Sequence, residues 1–273
     1  MLKQRVITAI VLASVFAGTI LFADHKWVVV LIALVMFAAC YEFLALTLKP
    51  DSWPAITGAL VYAVLFWAFD EWTDPQIIYY LSLVGVFAWI LIFGFQMIYQ
   101  FSGKWSLQVR LFQLILALSL LWICGQGLVF IHQHFQQGGW IMLYLLTLVW
   151  VADIGAYFSG RKFGKHKLAP GISPGKTWEG VAGGAILNVF WMLIVFQIVH
   201  GWGMALWQFI LIGLATSMVS VIGDLYESVL KREAAVKDSG KLLPGHGGVL
   251  DRIDSIIAAT PIFVAGFYGA GVI

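Results

Sequence analysis

Between Gly223 and Asp254 the chain places six acids, five bases, one histidine and five glycines within 32 residues, although 61% of the whole is hydrophobic. Asp224, Glu227 and Ser228 stand at i, i+3 and i+4, so a helix puts them on one face, and Lys231 continues that face one turn on. Arg232, Lys237 and Arg252 add cationic groups, and Asp251 and Asp254 open the next apolar run. Carboxylate oxygens are hard ligands. Mg²⁺ takes one or two of them and fills its shell with phosphate oxygens and water, so acids ringed by bases suit a cation holding a polyphosphate. Gly245, Gly247 and Gly248, flanking His246, let a backbone approach a ligand closely or adopt positive φ. A blander account exists for single residues: Asp251 and Asp254 sit where carboxylates cap a helix and favour its dipole. Mutual ion pairing explains one pair but not the whole set.

A second polar block precedes this one. Asp153 follows Leu148-Val149-Trp150-Val151-Ala152 inside an apolar run, where a charge needs a partner or a wet cavity. Arg161, Lys162, Lys165 and Lys167 follow, as an anionic membrane surface would favour. That does not explain Ser173-Pro174-Gly175-Lys176-Thr177. Gly175-Lys176-Thr177 resembles the end of a P-loop, but the first glycine of that motif falls on Pro170 and no strand is expected before it. The physics survives the rejection, because a lysine and a hydroxyl at the start of a helix suit an anionic group.

The elements that must hold these residues are membrane helices. The 273-residue chain is 11% charged, with a mean hydropathy of +0.91, and its repeated apolar runs of about 20 residues match a bilayer core. Nine spans are expected, at 6–23, 27–48, 54–69, 77–98, 111–131, 140–158, 181–199, 206–230 and 253–272, giving an all-α polytopic protein. The first is too long for a signal h-region and is read as retained. Residues 1–150 form a region of about five generic spans, and 151–273 a catalytic region with loops at 159–180 and 231–252.

With nine spans, fifteen of the sixteen Lys and Arg residues fall on the side of the N-terminus and only Lys26 on the other. The positive-inside rule then puts both loops in the cytoplasm and the C-terminus outside. The net charge of +2 says little beside that asymmetry. Asp24, Asp70, Glu71 and Asp74 read as solvated turn residues, and Trp27, Trp53, Trp72, Trp105, Trp140 and Trp178 as interfacial anchors. Cys40 and Cys124 read as buried small hydrophobes, and His132 and His134 receive no role. Glu42, the only acid in the first five spans, is close enough to the cytoplasmic end to snorkel or pair.

At the polar blocks a family resemblance enters. The run Ser228-x-Leu230-Lys231-Arg232-x4-Lys237-Asp238-x-Gly240-x2-Leu243-Pro244-x-His246-Gly247-Gly248-Val249-x-Asp251-Arg252-Ile253-Asp254 resembles the signature of phosphatidate cytidylyltransferase, or CDP-diacylglycerol synthase. Asp153, Ala156, Tyr157, Gly160, Phe163-Gly164-Lys165 and Ser173-Pro174-x-Lys176-Thr177-x-Glu179-Gly180 resemble it too, with Gly175 where many members carry Lys. The resemblance implies that CTP and phosphatidate give CDP-diacylglycerol and pyrophosphate, with Mg²⁺ as cofactor, in the cytoplasmic (inner) membrane.

With the chemistry above, it implies catalytic roles for Asp224, Asp251, Lys231, Arg232, Lys237 and Asp254. Substrate binding is expected at Lys176, Ser173, Thr177, Ser228, His246, Gly247, Gly248, Arg252 and Asp153, and metal ligation at Asp224, Asp251 and Glu227. Partners are CTP, phosphatidate and membrane lipid; no nucleic acid is expected, and a homodimer is left open. The rival is an ion- or proton-coupled transporter with Asp153, Asp224 and Glu227 as relay groups, which predicts acids at mid-bilayer and bases on both faces. A scaffolding protein leaves the whole polar set without a purpose.

Overall fold

The computed structural model describes residues 13–47, 53–69, 74–99, 105–240, 242 and 247–272. Within them the chain runs α1 (Ala13–Phe22), α2 (His25–Thr47), α3 (Trp53–Ala68), α4 (Pro75–Ile98), α5 (Leu107–His134) and α6 (Gly138–Phe163). A hairpin of β1 (Lys167–Ala169) and β2 (Ser173–Thr177) leads into α7 (Trp178–Val199), then α8 (Leu206–Glu233) and α9 (Leu250–Gly269). Six of these helices, α2 and α4 to α8, are long and apolar enough to cross a membrane; α3 has 16 residues. Helices suit this setting because all their backbone groups bond internally. Large apolar side chains such as Leu34, Val61, Phe87 and Phe190 point outward, as a surface bathed in lipid allows.

The hairpin corrects the sequence reading, which expects no strand before Gly175-Lys176-Thr177: those residues lie within β2 itself. The cause is local. Pro170 and Gly171 occupy the two central positions of a turn closed by the Ile172 amide donating to Ala169 O at 3.1 Å, which folds Ser173–Thr177 back antiparallel on Lys167–Ala169. Glu179 in the first turn of α7 accepts from the Lys165 and His166 amides and meets His166 Nδ1 at 2.6 Å, tying the strand pair to the helix.

The chain divides into two compact units that alternate along the sequence. One comprises 1–78, 102–143 and 230–253. Its core is α2, α3 and α5, where Val28, Ile32, Met36, Phe66, Leu120 and Leu121 are buried. A Cβ on Gly125 would lie 2.6 Å from the Phe66 ring, so glycine there lets α5 close on α3. The other comprises 79–101, 144–229 and 254–273. Gly155 on α6 faces Gly183 and Gly184 on α7, and a Cβ on Gly223 of α8 would lie 2.5 Å from the Asp254 carbonyl of α9. Polar side chains in this unit bond to the backbone: Asn188 Nδ2 donates to Leu148 O and Gln96 Nε2 to Ile222 O, both at 3.0 Å.

Candidate functional site

The polar residues singled out by the sequence form two clusters, one in each unit. The first gathers on α6, β2 and α8. Lys176 Nζ lies 2.7 Å from Asp224 Oδ2 and 3.4 Å from the Val221 carbonyl it also donates to. Ser228, one turn beyond Asp224, donates to Asp224 Oδ1 at 3.5 Å, and Asp153 on α6 is within electrostatic range of both Asp224 and Lys176. β2 presents Lys176 to α8 because it ends at Thr177, whose side chain caps α7 by accepting from the Gly180 amide at 3.1 Å. Thr177 is therefore buried in a structural bond, while Ser173 is half-buried at the start of β2. Glu227 is only 2% exposed.

The second cluster joins the end of α8 to the start of α9. α8 stops through a Schellman arrangement: the Val236 amide donates to Lys231 O and the Ala235 amide to Arg232 O, with Ala235 at φ +56. That reversal leaves Arg232 and Lys237 exposed around one cleft. Lys231 Nζ meets Asp251 Oδ1 at 2.6 Å. Asp251 Oδ2 accepts from the Gly248 amide at 2.9 Å and from the Ser239 amide and hydroxyl, both at 3.0 Å. Burial by itself would raise the Asp251 carboxyl, but the Lys231 hydrogen bond and charge and the two amides outweigh it and hold it at about 2. Gly247 takes φ +84, a conformation open to glycine. Arg252 is exposed, Asp254 Oδ1 accepts from the Ser255 amide at 2.6 Å, and His246 lies outside the described residues.

Fitness for a hard cation differs between the clusters. Among the described residues no three His, Cys, Asp or Glu side chains converge as a metal cage. Mg²⁺ needs less, and Asp224, with its side chain 35% exposed and a second carboxylate at Asp153 in range, offers the one or two oxygens it takes. Asp251 has a side chain only 9% exposed, with the Gly248 and Ser239 amides on Oδ2 and the Lys231 ammonium on Oδ1, so a cation would have to displace Lys231 or share Oδ1 with it. Glu227, the third expected ligand, is buried.

One residue of consequence is underrated by sequence reasoning. Glu42 on α2 is 1% exposed and accepts from the Leu250 amide at 2.8 Å and the Val249 amide at 3.1 Å, and it lies 3.0 Å from the Ser239 hydroxyl, whose one proton it shares with Asp251. The only local signal was its isolation as an acid among apolar spans; nothing in its neighbourhood points to a loop about 200 residues away.

Residues 3–268 match the model of the Cytidylyltransferase family. A Pseudomonas aeruginosa protein named phosphatidate cytidylyltransferase is 40% identical over 99% of this chain and 98% of its own. One of the same name from Haemophilus influenzae is 39% identical over 96% of this chain and 97% of its own. A third, from Staphylococcus saprophyticus, is 35% identical over 74% and 85% respectively.

Proposed function

This chain belongs to the cytidylyltransferase family, and from that premise we infer that it is a nucleotidyltransferase of phospholipid synthesis, joining CTP and phosphatidate into CDP-diacylglycerol and pyrophosphate. The whole-length family match carries the reading, and the Lys176–Asp224 pair at 2.7 Å is the geometry that best agrees with it.

A phosphate oxygen of phosphatidate attacks the α-phosphorus of CTP, forming one P–O bond as the bond to the β-phosphate oxygen breaks. The nucleophile is already anionic near neutral pH, so no activating base is needed; two anions must be brought together and the charge on departing pyrophosphate neutralised. Lys176, Lys231, Arg232, Lys237 and Arg252 are assigned that work. Asp224 with Asp153 would hold Mg²⁺, which supplies charge neutralisation and orientation of phosphate oxygens. Lys176 competes for the same Asp224 oxygen and is free to turn to a phosphate when the carboxylate takes another partner. Asp251 is assigned to holding Lys231 rather than to ligation, and Asp254 and Ser228 to shaping the ends of α8 and α9. All these residues fall in 151–273.

CTP is cytosolic and phosphatidate is in the bilayer, so the reaction calls for the cytoplasmic rim of the inner membrane, with the N-terminus inside and the C-terminus outside. The experiment that tests the reading is pyrophosphate release by purified protein in detergent. Release should need CTP, phosphatidate and Mg²⁺ together, and folded protein without it would remove the proposal.

A further inference from the structure

The second cluster is held from outside the resembling blocks. Glu42 accepts from the Val249 and Leu250 amides, which are among the orphan N–H groups at the start of α9, so a carboxylate on α2 caps α9 from a distance. The Ser239 hydroxyl reaches both Glu42 Oε2 and Asp251 Oδ2 at 3.0 Å, which couples this cap to the carboxylate that holds Lys231. Two glycines complete the seat. A Cβ on Gly240 or on Gly248 would overlap the Glu42 carboxylate, and one on Gly248 would also overlap the Ser239 hydroxyl. A buried carboxylate without its donors is costly, so segment and carboxylate fix each other.

We propose that Glu42 is a positioning residue of the transfer reaction: it sets Ser239, Gly240 and residues 248–250, and through Ser239 and Asp251 the Lys231 ammonium. Gly240 and Gly248 are glycine to admit the Glu42 carboxylate, rather than to admit substrate. This rests on the cytidylyltransferase reading for its kinetic consequence but not for its structural one. Glu42 touches no reacting atom; its effect reaches the chemistry through the side chains it orients.

The test has a kinetic arm and an arm that needs no activity. Glu42→Gln keeps the shape but loses the charge and presents an amide NH₂ to donors, so kcat should fall at least about tenfold while KM for CTP changes by less than about threefold. In the same variant without substrate, hydrogen exchange at the 248–250 amides should accelerate about tenfold or more, with α5 unchanged. Ser239→Ala, which removes one hydroxyl and leaves Glu42 in place, should move both readouts the same way and carries the test if Glu42→Gln does not insert. Gly240→Ala, whose Cβ would meet Glu42 alone, should cost about tenfold in the parent but less than about threefold when added to Glu42→Ala, because the obstructing carboxylate is gone.

Parent kcat together with parent exchange at 248–250 in Glu42→Gln or Ser239→Ala overturns the proposal. An equal Gly240→Ala loss in both backgrounds overturns its glycine half. A parent protein with no CTP- and phosphatidate-dependent turnover would instead overturn the functional reading, leaving the exchange arm to decide the role of Glu42.

Discussion

Lys231 Nζ stands 2.6 Å from Asp251 Oδ1, a charged pair that locks the last turn of α8 to the first turn of α9 across the intervening segment. Both side chains are mostly buried, so removing one partner strands the other. Lys231→Met should destabilise the protein by about 3 kcal/mol, seen as a lower unfolding temperature in detergent. A Lys231→Met protein that unfolds with the parent would show that the pair is solvated and contributes little.

The same pair sets a pH expectation. The folded-state Asp251 carboxyl is held at about 2, below its ordinary 3.8, so its stabilisation is present above about pH 4 and is lost as pH falls toward about 2. The difference in unfolding temperature between parent and Asp251→Asn should stay flat from pH 8 to 5 and close below about 4. A gap that already closes near pH 6 would point to another titrating group.

Asp224 and Asp251 should separate in their response to Mg²⁺. Asp224→Asn removes a charge expected to ligate the cation, so turnover should be abolished at ordinary Mg²⁺ and return only in part at much higher concentration. Asp251→Asn should also lose most activity, because Lys231 is released, but with the half-activating Mg²⁺ concentration unchanged. Rate against Mg²⁺ for both variants and for an Asp74→Asn control distinguishes them; a shifted Mg²⁺ requirement in Asp251→Asn would make Asp251 a ligand.

Charge-assisted phosphate contacts are worth about 1.5–3 kcal/mol, or roughly 10- to 150-fold. Lys176→Ala and Arg252→Ala should lose turnover in that range, while Lys162→Ala, near the end of α6 with its ammonium 5.3 Å from the Phe163 ring centroid, should lose much less. Equal losses at all three positions would describe a diffuse basic field.

Topology can be read with reporter fusions. Fusions after residues 168 and 240 should report the cytoplasm, and those after 136 and 202 the outside. An outside signal at 240 would put the Lys231–Asp251 segment beyond the reach of cytosolic CTP.

The sequence by itself determined the membrane-helix architecture, because apolar runs of bilayer length leave the backbone only one way to satisfy its hydrogen bonds in lipid. It also singled out the residues proposed to carry chemistry, since charges are costly in such a chain and those that remain stand out. Spacing within one helix was legible: Asp224 and Ser228, one turn apart, do face each other. What only the tertiary structure decided is who partners whom. Pro170-Gly171 is a local turn signal, but that the hairpin it closes carries Lys176 to Asp224 depends on the packing of β2 beside α8. The Gly248 amide on Asp251 is a local bond, but that Asp251 also holds Lys231 and Ser239, and that Glu42 caps α9, depends on contacts between residues 12 to 208 apart. A carboxylate's role is set by which donors fill its lone pairs. Those donors are brought by folding, and periodicity along the chain holds no record of them.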